Sequence, residues 1–278
     1  MKKTETGTCL IFLGIELDTV AMQARLPEDK LSRLKADLIK MGSNKTVSVR
    51  EVQSLAGSLN FACSVVAPGR PFIRRIYQTT WGLKSNQPDF RVKVSAGMKD
   101  DLKVWLTFLE QYNGVTMFLP NDPVLDYDLG VFVASSLTGF GVVCGAKWVS
   151  QRWPKGWKEA SPLTKHLYPV MVLVHMFGEV LANKRLLLHL PVFGQVKALN
   201  RLSTKDPQAM QVIRDLVLKM LVYNVQLVVV RAAHSVNPAI FVAQGDERAF
   251  ATLMGYSDQQ PTLILDYLCP EIYMDSWM

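Results

Sequence analysis

Cysteine is scarce in this chain, and its four copies, Cys9, Cys63, Cys144 and Cys269, never fall at a two-residue spacing. That scatter excludes a zinc ribbon and a disulfide framework, and the four read as reduced thiols in mostly apolar settings. No run of eighteen or more uncharged apolar residues occurs, so neither a membrane span nor a membrane partner is expected. The opening Met-Lys-Lys-Thr-Glu-Thr-Gly-Thr leads into an apolar stretch too short for a signal peptide. An intracellular protein is expected, with nucleus and cytoplasm undistinguished. Walker loops, paired His-Glu zinc phrases and Gly-x-Ser-x-Gly elbows are also missing. Gly139-Phe140-Gly141 joins two strand-like runs with no helix behind it, which makes it a turn rather than a phosphate loop. No cofactor is expected.

What the chain does have is apolar substance and an uneven positive charge. Its 278 residues, 49% of them hydrophobic, suffice for one large or two modest domains. Residues 1–120 carry 17 Lys and Arg against 11 Asp and Glu, a balance of +6, and the remaining 14 against 13 leave +1. Basic charge gathered in one half suits a phosphate-facing surface, because Lys and Arg displace condensed counterions there.

Taken in order, Cys9 to Asp18 reads as a short apolar strand with Gly14 at a close backbone approach, and Val20 to Leu26 as its return. Leu31, Leu34, Leu38 and Met41 share one face of a helix entered at Pro27 and stopped by Gly42. Ser48 and Glu51 form a capping box for a second helix that carries Val52, Leu55, Leu59, Ala62 and Val66 on one side. Pro68-Gly69-Arg70-Pro71 ends it, and a third helix begins at Phe72 with Arg74 and Arg75 on it. Residues 81–94 are polar and irregular, a linker. A helix then spans Ser95 to Asn113, with Met98, Leu102, Trp105, Leu109 and Tyr112 on one face and Gly114 as its stop, and it is expected to pack between two modules.

From Val115 the pattern changes to strands. Val131 to Val133, Gly141 to Val149 and Gln151 to Trp153 make an antiparallel start. Ser161 caps an apolar helix through Leu181, with Pro162 in its first turn. A strand at Leu186–Leu190, a short helix at Val196–Leu202, a long helix from Asp206-Pro207 to Tyr223, a strand at Val225–Ala232 and a last helix from Asn237-Pro238 complete the order. Three strands, helix, strand, helices, strand, helix is an α/β arrangement around a mixed sheet.

Two sets of phrases resemble a known family. Phe-Val-Ala-Ser-Ser at 132–136, followed by Gly139-Phe140-Gly141, is similar to the first strand and turn of a ribonuclease H domain from a retroelement polyprotein. Phe-Leu-Gly-Ile-Glu-Leu-Asp at 12–18 resembles the primer-grip strand of a reverse transcriptase, and the helices after it its thumb. Leu-Pro-Glu-Asp-Lys-Leu at 26–31, Leu-Ala-Gly-Ser-Leu-Asn-Phe-Ala-Cys at 55–63 and Ala-Pro-Gly-Arg-Pro-Phe at 67–72 are closest to tyrosine-recombinase retrotransposons of the DIRS and Ngaro type. The resemblance implies a palm and primer-grip hairpin at 1–26, a helical thumb-like module at 27–80 and a linker with connector helix at 81–120. It further implies a ribonuclease H-like domain at 121–255 with a mixed five-stranded sheet and flanking helices, and leaves a tail at 256–278, expected to dock on the domain. The family's paired polymerase aspartates lie upstream of Phe-Leu-Gly, and only eleven residues precede Phe12, so no polymerisation is expected.

In that family four carboxylates hold two Mg²⁺ ions, hard cations that require charged oxygen ligands. The matching positions here are Ala134, His166 within Ser161-Pro-Leu-Thr-Lys-His-Leu-Tyr-Pro169, Pro191 after His189-Leu190, and Gln244 after Ala243. All four acids are replaced. Asp128 lies about 20 Å from Ala134 along an extended strand, and Asp246 roughly 200° around a helix from Gln244, so neither substitutes. His166 alone reads as an ordinary hydrogen-bonded residue, and His234, which matches a family histidine, has no metal to assist. Trp148, Trp153 and Trp157, interleaved with Lys147, Arg152, Lys155 and Lys158, are weighed as a base-stacking platform against a plain sheet edge, and the edge is preferred. The expectation is a protein without metal or enzyme activity that binds an RNA–DNA hybrid or other nucleic acid through Arg50, Arg70, Arg74 and Arg75, or binds a protein partner. A nuclease with a rebuilt site and a functionless relic are the alternatives.

Overall fold

The computed structural model describes residues 7–82, 89–111, 115–117, 122–153, 155–231 and 237–254. The chain divides into two compact units, Met1–Phe118 and Leu119–Met278. The expected tail, together with Cys269 and His234, lies outside the described residues.

The first unit opens with β1 (Cys9–Phe12) and β2 (Ile15–Asp18), an antiparallel pair joined at Leu13-Gly14. Leu13 and Gly14 both have positive φ, 49° and 80°, as a two-residue hairpin turn of the right hand demands. Gly14 is therefore a turn residue inside what the sequence suggested was one strand. β3 (Gln23–Arg25) pairs with β2, and β6 (Val115–Met117) pairs with β3, giving the order β1-β2-β3-β6.

Helix α1 (Glu28–Ser43) buries Leu31, Leu34, Leu38 and Met41 and runs through Gly42 to Asn44. Packing of that apolar face outweighs the modest cost of an internal glycine. Strand β4 (Thr46–Ser48) leads into α2 (Val49–Ala62), where Glu51 Oε2 accepts from the Ser48 amide and Ser48 Oγ from the Glu51 amide. A 3₁₀ turn at Ala67–Phe72 and the short α3 (Arg74–Gln78) follow.

Within the expected linker, β5 (Arg91–Lys93) pairs with β4, a ladder that only the folded chain reveals. Helix α4 spans Ala96–Gln111. It packs on α1, α3 and the 3₁₀ turn, with Met98, Leu102, Trp105, Phe108 and Leu109 buried, and is the core helix of the first unit. Trp105 stands edge-on to Phe108, and a Cβ at Gly69 would come within 2.3 Å of the Trp105 ring.

The second unit is α/β, with two three-stranded ladders. Strand β7 (Val124–Leu125) pairs in parallel with β11 (Arg185–Leu190), which pairs in parallel with β12 (Gln226–Arg231). Strands β8 (Val131–Ser135), β9 (Gly139–Cys144) and β10 (Lys147–Arg152) form an antiparallel meander. The expected single five-stranded sheet is thus divided among the described residues. Between β7 and β8 the chain turns, the Leu129 amide donating to the Leu125 carbonyl and the Val131 amide to that of Asp126. The expected strand at 141–149 is likewise two strands, broken at Gly145, whose φ is 58°.

Helix α5 (Pro162–Leu181) has Ser161 as N-cap, its Oγ accepting from the Thr164 amide. It is covered by α7 (Pro207–Val222), capped in the same way by Asp206, while α6 (Phe193–Arg201) lies against β12. Asn200 of α6 donates to the Val229 carbonyl and accepts from its amide, so a side-chain amide pairs with β12 as another strand would. Helix α8 (Ala239–Gln244) packs on β8 and β9, and α9 (Glu247–Met254), absent from the sequence reading, brings Phe250 onto Trp148. Among the described residues no helix is long and apolar enough to cross a membrane.

Candidate functional site

The four positions that match the resembled family's metal ligands are Ala134, His166, Pro191 and Gln244, and none of them offers an anionic oxygen. Ala134 packs with Phe132 against the apolar cluster of Val143, Trp148, Ala239, Val242 and Phe250. Its cross-strand partner is Gly141, where a Cβ would lie 2.6 Å from the Ala239 carbonyl oxygen and 2.7 Å from the Ala243 amide. Backbone of α8 therefore rests directly on the sheet beside Ala134. Gln244 is exposed at the last turn of that helix. The preceding carbonyls of Val242 and Ala243 accept from Ser150 Oγ (2.9 Å) and Ser136 Oγ (2.6 Å), which ties the end of the helix to β10 and to the turn after β8. Asn237 Nδ2 donates to the Val133 carbonyl, tying the start of the helix to the same strand.

His166 lies on α5 and meets the opposite side of β8. Its Nδ1 is 2.6 Å from Ser135 Oγ, and its carbonyl accepts from Gln195 Nε2 of α6 at 2.5 Å. Because neighbouring residues of a strand point to opposite faces, Ser135 belongs to the α5 side and Ala134 to the α8 side. Pro191 falls between β11 and α6 and has no side-chain donor atom. Among the described residues no three His, Cys, Asp or Glu side chains converge as metal ligands. A methyl group in an apolar cluster, a proline, an exposed amide and an imidazole engaged with a serine do not fit a pair of Mg²⁺ ions.

A buried acid that the sequence reading passed over is Asp126. It is 3% exposed and accepts from the amide of Tyr127, the amide of His189 (2.6 Å) and His189 Nδ1 (2.8 Å). Its carboxylate thus joins the turn after β7 to β11 and is fully engaged in doing so. Asp128 is exposed in that turn, and the chain there is not an extended strand. Asp246 is not on α8 at all, since Gly245 with φ 79° ends that helix and Asp246 Oδ1 accepts from the Ala249 amide at the start of α9.

Trp148 and Trp157 are buried and Trp153 is half-buried. Trp148 packs on Phe250, and Trp153 and Trp157 stack in parallel with centroids 5.1 Å apart, beside Phe140 and Tyr168. Trp153 Nε1 donates to the Ser136 carbonyl.

In the first unit the four arginines do not act alike. Arg50 and Arg70 are exposed. Arg74 is half-buried. Arg75 Nη1 donates to the Gly97 carbonyl and lies 3.3 Å from Asp101, which is 2% exposed, so its charge is committed to a buried carboxylate. No local spacing predicts this pair, because it joins α3 to α4.

A concave feature of this unit is a groove of about 470 Å³ between α1 and α2, lined by Lys30, Arg33, Asp37, Ser54, Ser58 and Phe61 over a floor that includes Leu34 and Ala62. Lys30 Nζ sits 4.4 Å from the Phe61 ring centroid and donates to the Gly14 carbonyl, which fixes one cation at the wall. Space is open at Gly57, where an added Cβ would meet nothing within 4 Å. These residues alternate with the buried ones on each helix, and helical periodicity, read for its polar face, was the available signal.

No protein-family profile matches this chain, and no curated protein does. Among solved structures it is similar to a foamy viral protease-reverse transcriptase, solved in complex with an RNA/DNA hybrid, at 14% identity and a TM-score of 0.32. The match covers 93% of this chain and 32% of that one, so this chain spans about a third of its length.

Proposed function

We propose that this chain is a retroelement-derived, catalytically silent protein that binds nucleic acid through the α1–α2 groove of its first unit. The observation that carries the reading is the groove's donor set: two cations, Lys30 and Arg33, and two hydroxyls, Ser54 and Ser58, beside the partly exposed ring of Phe61. Cations and hydroxyls suit phosphate oxygens, and an exposed ring accepts a stacked base of any sequence. Asp37 in the same lining opposes an anion and limits affinity. Arg50 and Arg70 add long-range attraction rather than specific contacts. Silence is supported by Ala134, His166, Pro191 and Gln244 standing where the resembled family has carboxylates.

The test is fluorescence anisotropy of a labelled RNA–DNA hybrid, duplex DNA and single strands at two salt concentrations. Weak, salt-sensitive binding to all of them is expected, with Lys30→Ala and Arg33→Ala each flattening the salt slope by about one. Binding that neither substitution changes would remove the groove from the account and favour a protein partner.

A further inference from the structure

Strand β1 forms one edge of its sheet, bonded to β2 on one side and to nothing on the other among the described residues. Proteins blunt such edges with charge, proline or a bulge. Cys9-Leu10-Ile11-Phe12 has neither charge nor proline, and its register with β2 is continuous from Cys9↔Asp18 to Phe12↔Ile15, so it has no bulge either. Ile11 and Phe12 are each 63% exposed, and Leu13 in the adjoining turn is 80% exposed.

We propose that β1 pairs antiparallel with β1 of a second copy of this chain across a two-fold axis, joining two four-stranded sheets into one. A free edge takes an extended segment whose own backbone groups are unpaired, and β1 is itself such a segment. With Ile11 opposite its own symmetry mate and Leu10 opposite Phe12, apolar side chains meet on both faces and no like charges are opposed. That matters because the first 120 residues are net positive, so most other contacts between copies bring cations together. A charged peptide finds no counter-charge on β1, since the neighbouring Glu16 and Asp18 are both engaged by Arg25. A pairing this short buries less than the roughly 1,000 Å² of a stable interface, so the dimer is weak and concentration-dependent. This inference concerns a different element from the groove and does not depend on nucleic acid binding.

Sedimentation velocity on the full chain over a wide concentration range reads the proposal. The 31.2 kDa species is expected to give way reversibly to one of twice that mass, and Ile11→Lys and Phe12→Lys are each expected to keep the chain monomeric. Val222→Lys, at an exposed position of the second unit, is expected to leave the equilibrium unchanged. Hydrogen exchange on the unaltered chain provides a readout that survives misfolding of a variant: β1 amides are expected to gain protection as concentration rises. A chain monomeric throughout, a dimer that both lysine variants leave intact, or β1 amides equally protected at every concentration, meaning that another part of the chain covers the edge, would each overturn it.

Discussion

Arg75 and Asp101 show how a residue that looks like a phosphate contact can be a structural one. A carboxylate 2% exposed is costly to leave without its cation, whereas Arg75 itself is 36% exposed along its side chain. Solvent screening of the exposed partner lowers the value usual for a buried pair, so Arg75→Ala is expected to cost roughly 1–3 kcal/mol in urea unfolding. Asp101→Asn in the Arg75→Ala background should recover part of that loss, and no recovery would show that the pair is not the cause. Asp215 on α7 offers a second test. Burial pushes its carboxyl up to about 6, against the lowering influences of Lys219 and the Gln211 hydrogen bond. A raised folded-state pKa gives stability that is complete below the unfolded value of 3.8 and is lost as pH rises through 6. The stability of Asp215→Asn minus that of the unaltered protein should therefore climb by roughly 3 kcal/mol between pH 4 and pH 8. A flat difference would mean that Asp215 is as well solvated folded as unfolded.

At the scale of elements, the contact between α8 and the meander depends on Gly141. A methyl group there would meet helix backbone at under 3 Å, and backbone cannot swing aside as a flexible side chain can. Gly141→Ala is expected to cost roughly 1–3 kcal/mol by thermal or urea unfolding, as overpacking does. An unchanged midpoint would show that α8 does not rest on the sheet. What could be read from the sequence follows the range of the interactions. The caps at Ser48, Ser161 and Asp206 were legible or nearly so because each is decided within one helical turn. The pairing of β4 with β5 was not, because Val47 meets Val92 only after α2 and α3 are in place. The turn that separates β7 from β8 carries Asp126, Asp128 and Gly130, but the bond of Asp126 to His189, 63 residues away, could not be read from local spacing. Positions 134, 166, 191 and 244 could be marked by their neighbouring phrases, but the occupation of that region by an apolar cluster and a Ser135–His166 contact required the packed helices.

At the scale of the whole molecule, the second unit holds no acid at positions 134, 166, 191 and 244, and the first carries a groove lined by Lys30 and Arg33. Among the described residues the second unit has no cluster of acids whose mutual repulsion a metal must relieve, so the thermal midpoint is expected to be equal in EDTA and in excess Mg²⁺. A rise of several degrees with Mg²⁺ would reveal a metal site. The central claim is binding without cleavage, and it is tested most directly by incubating the protein with a labelled RNA–DNA hybrid in Mg²⁺ or Mn²⁺ at a concentration that shifts the hybrid into complex, then resolving the strands under denaturing conditions. The account predicts that the bound RNA strand is recovered at full length. Metal-dependent shortening of that strand, abolished by chelator and unchanged through repeated purification, would contradict it.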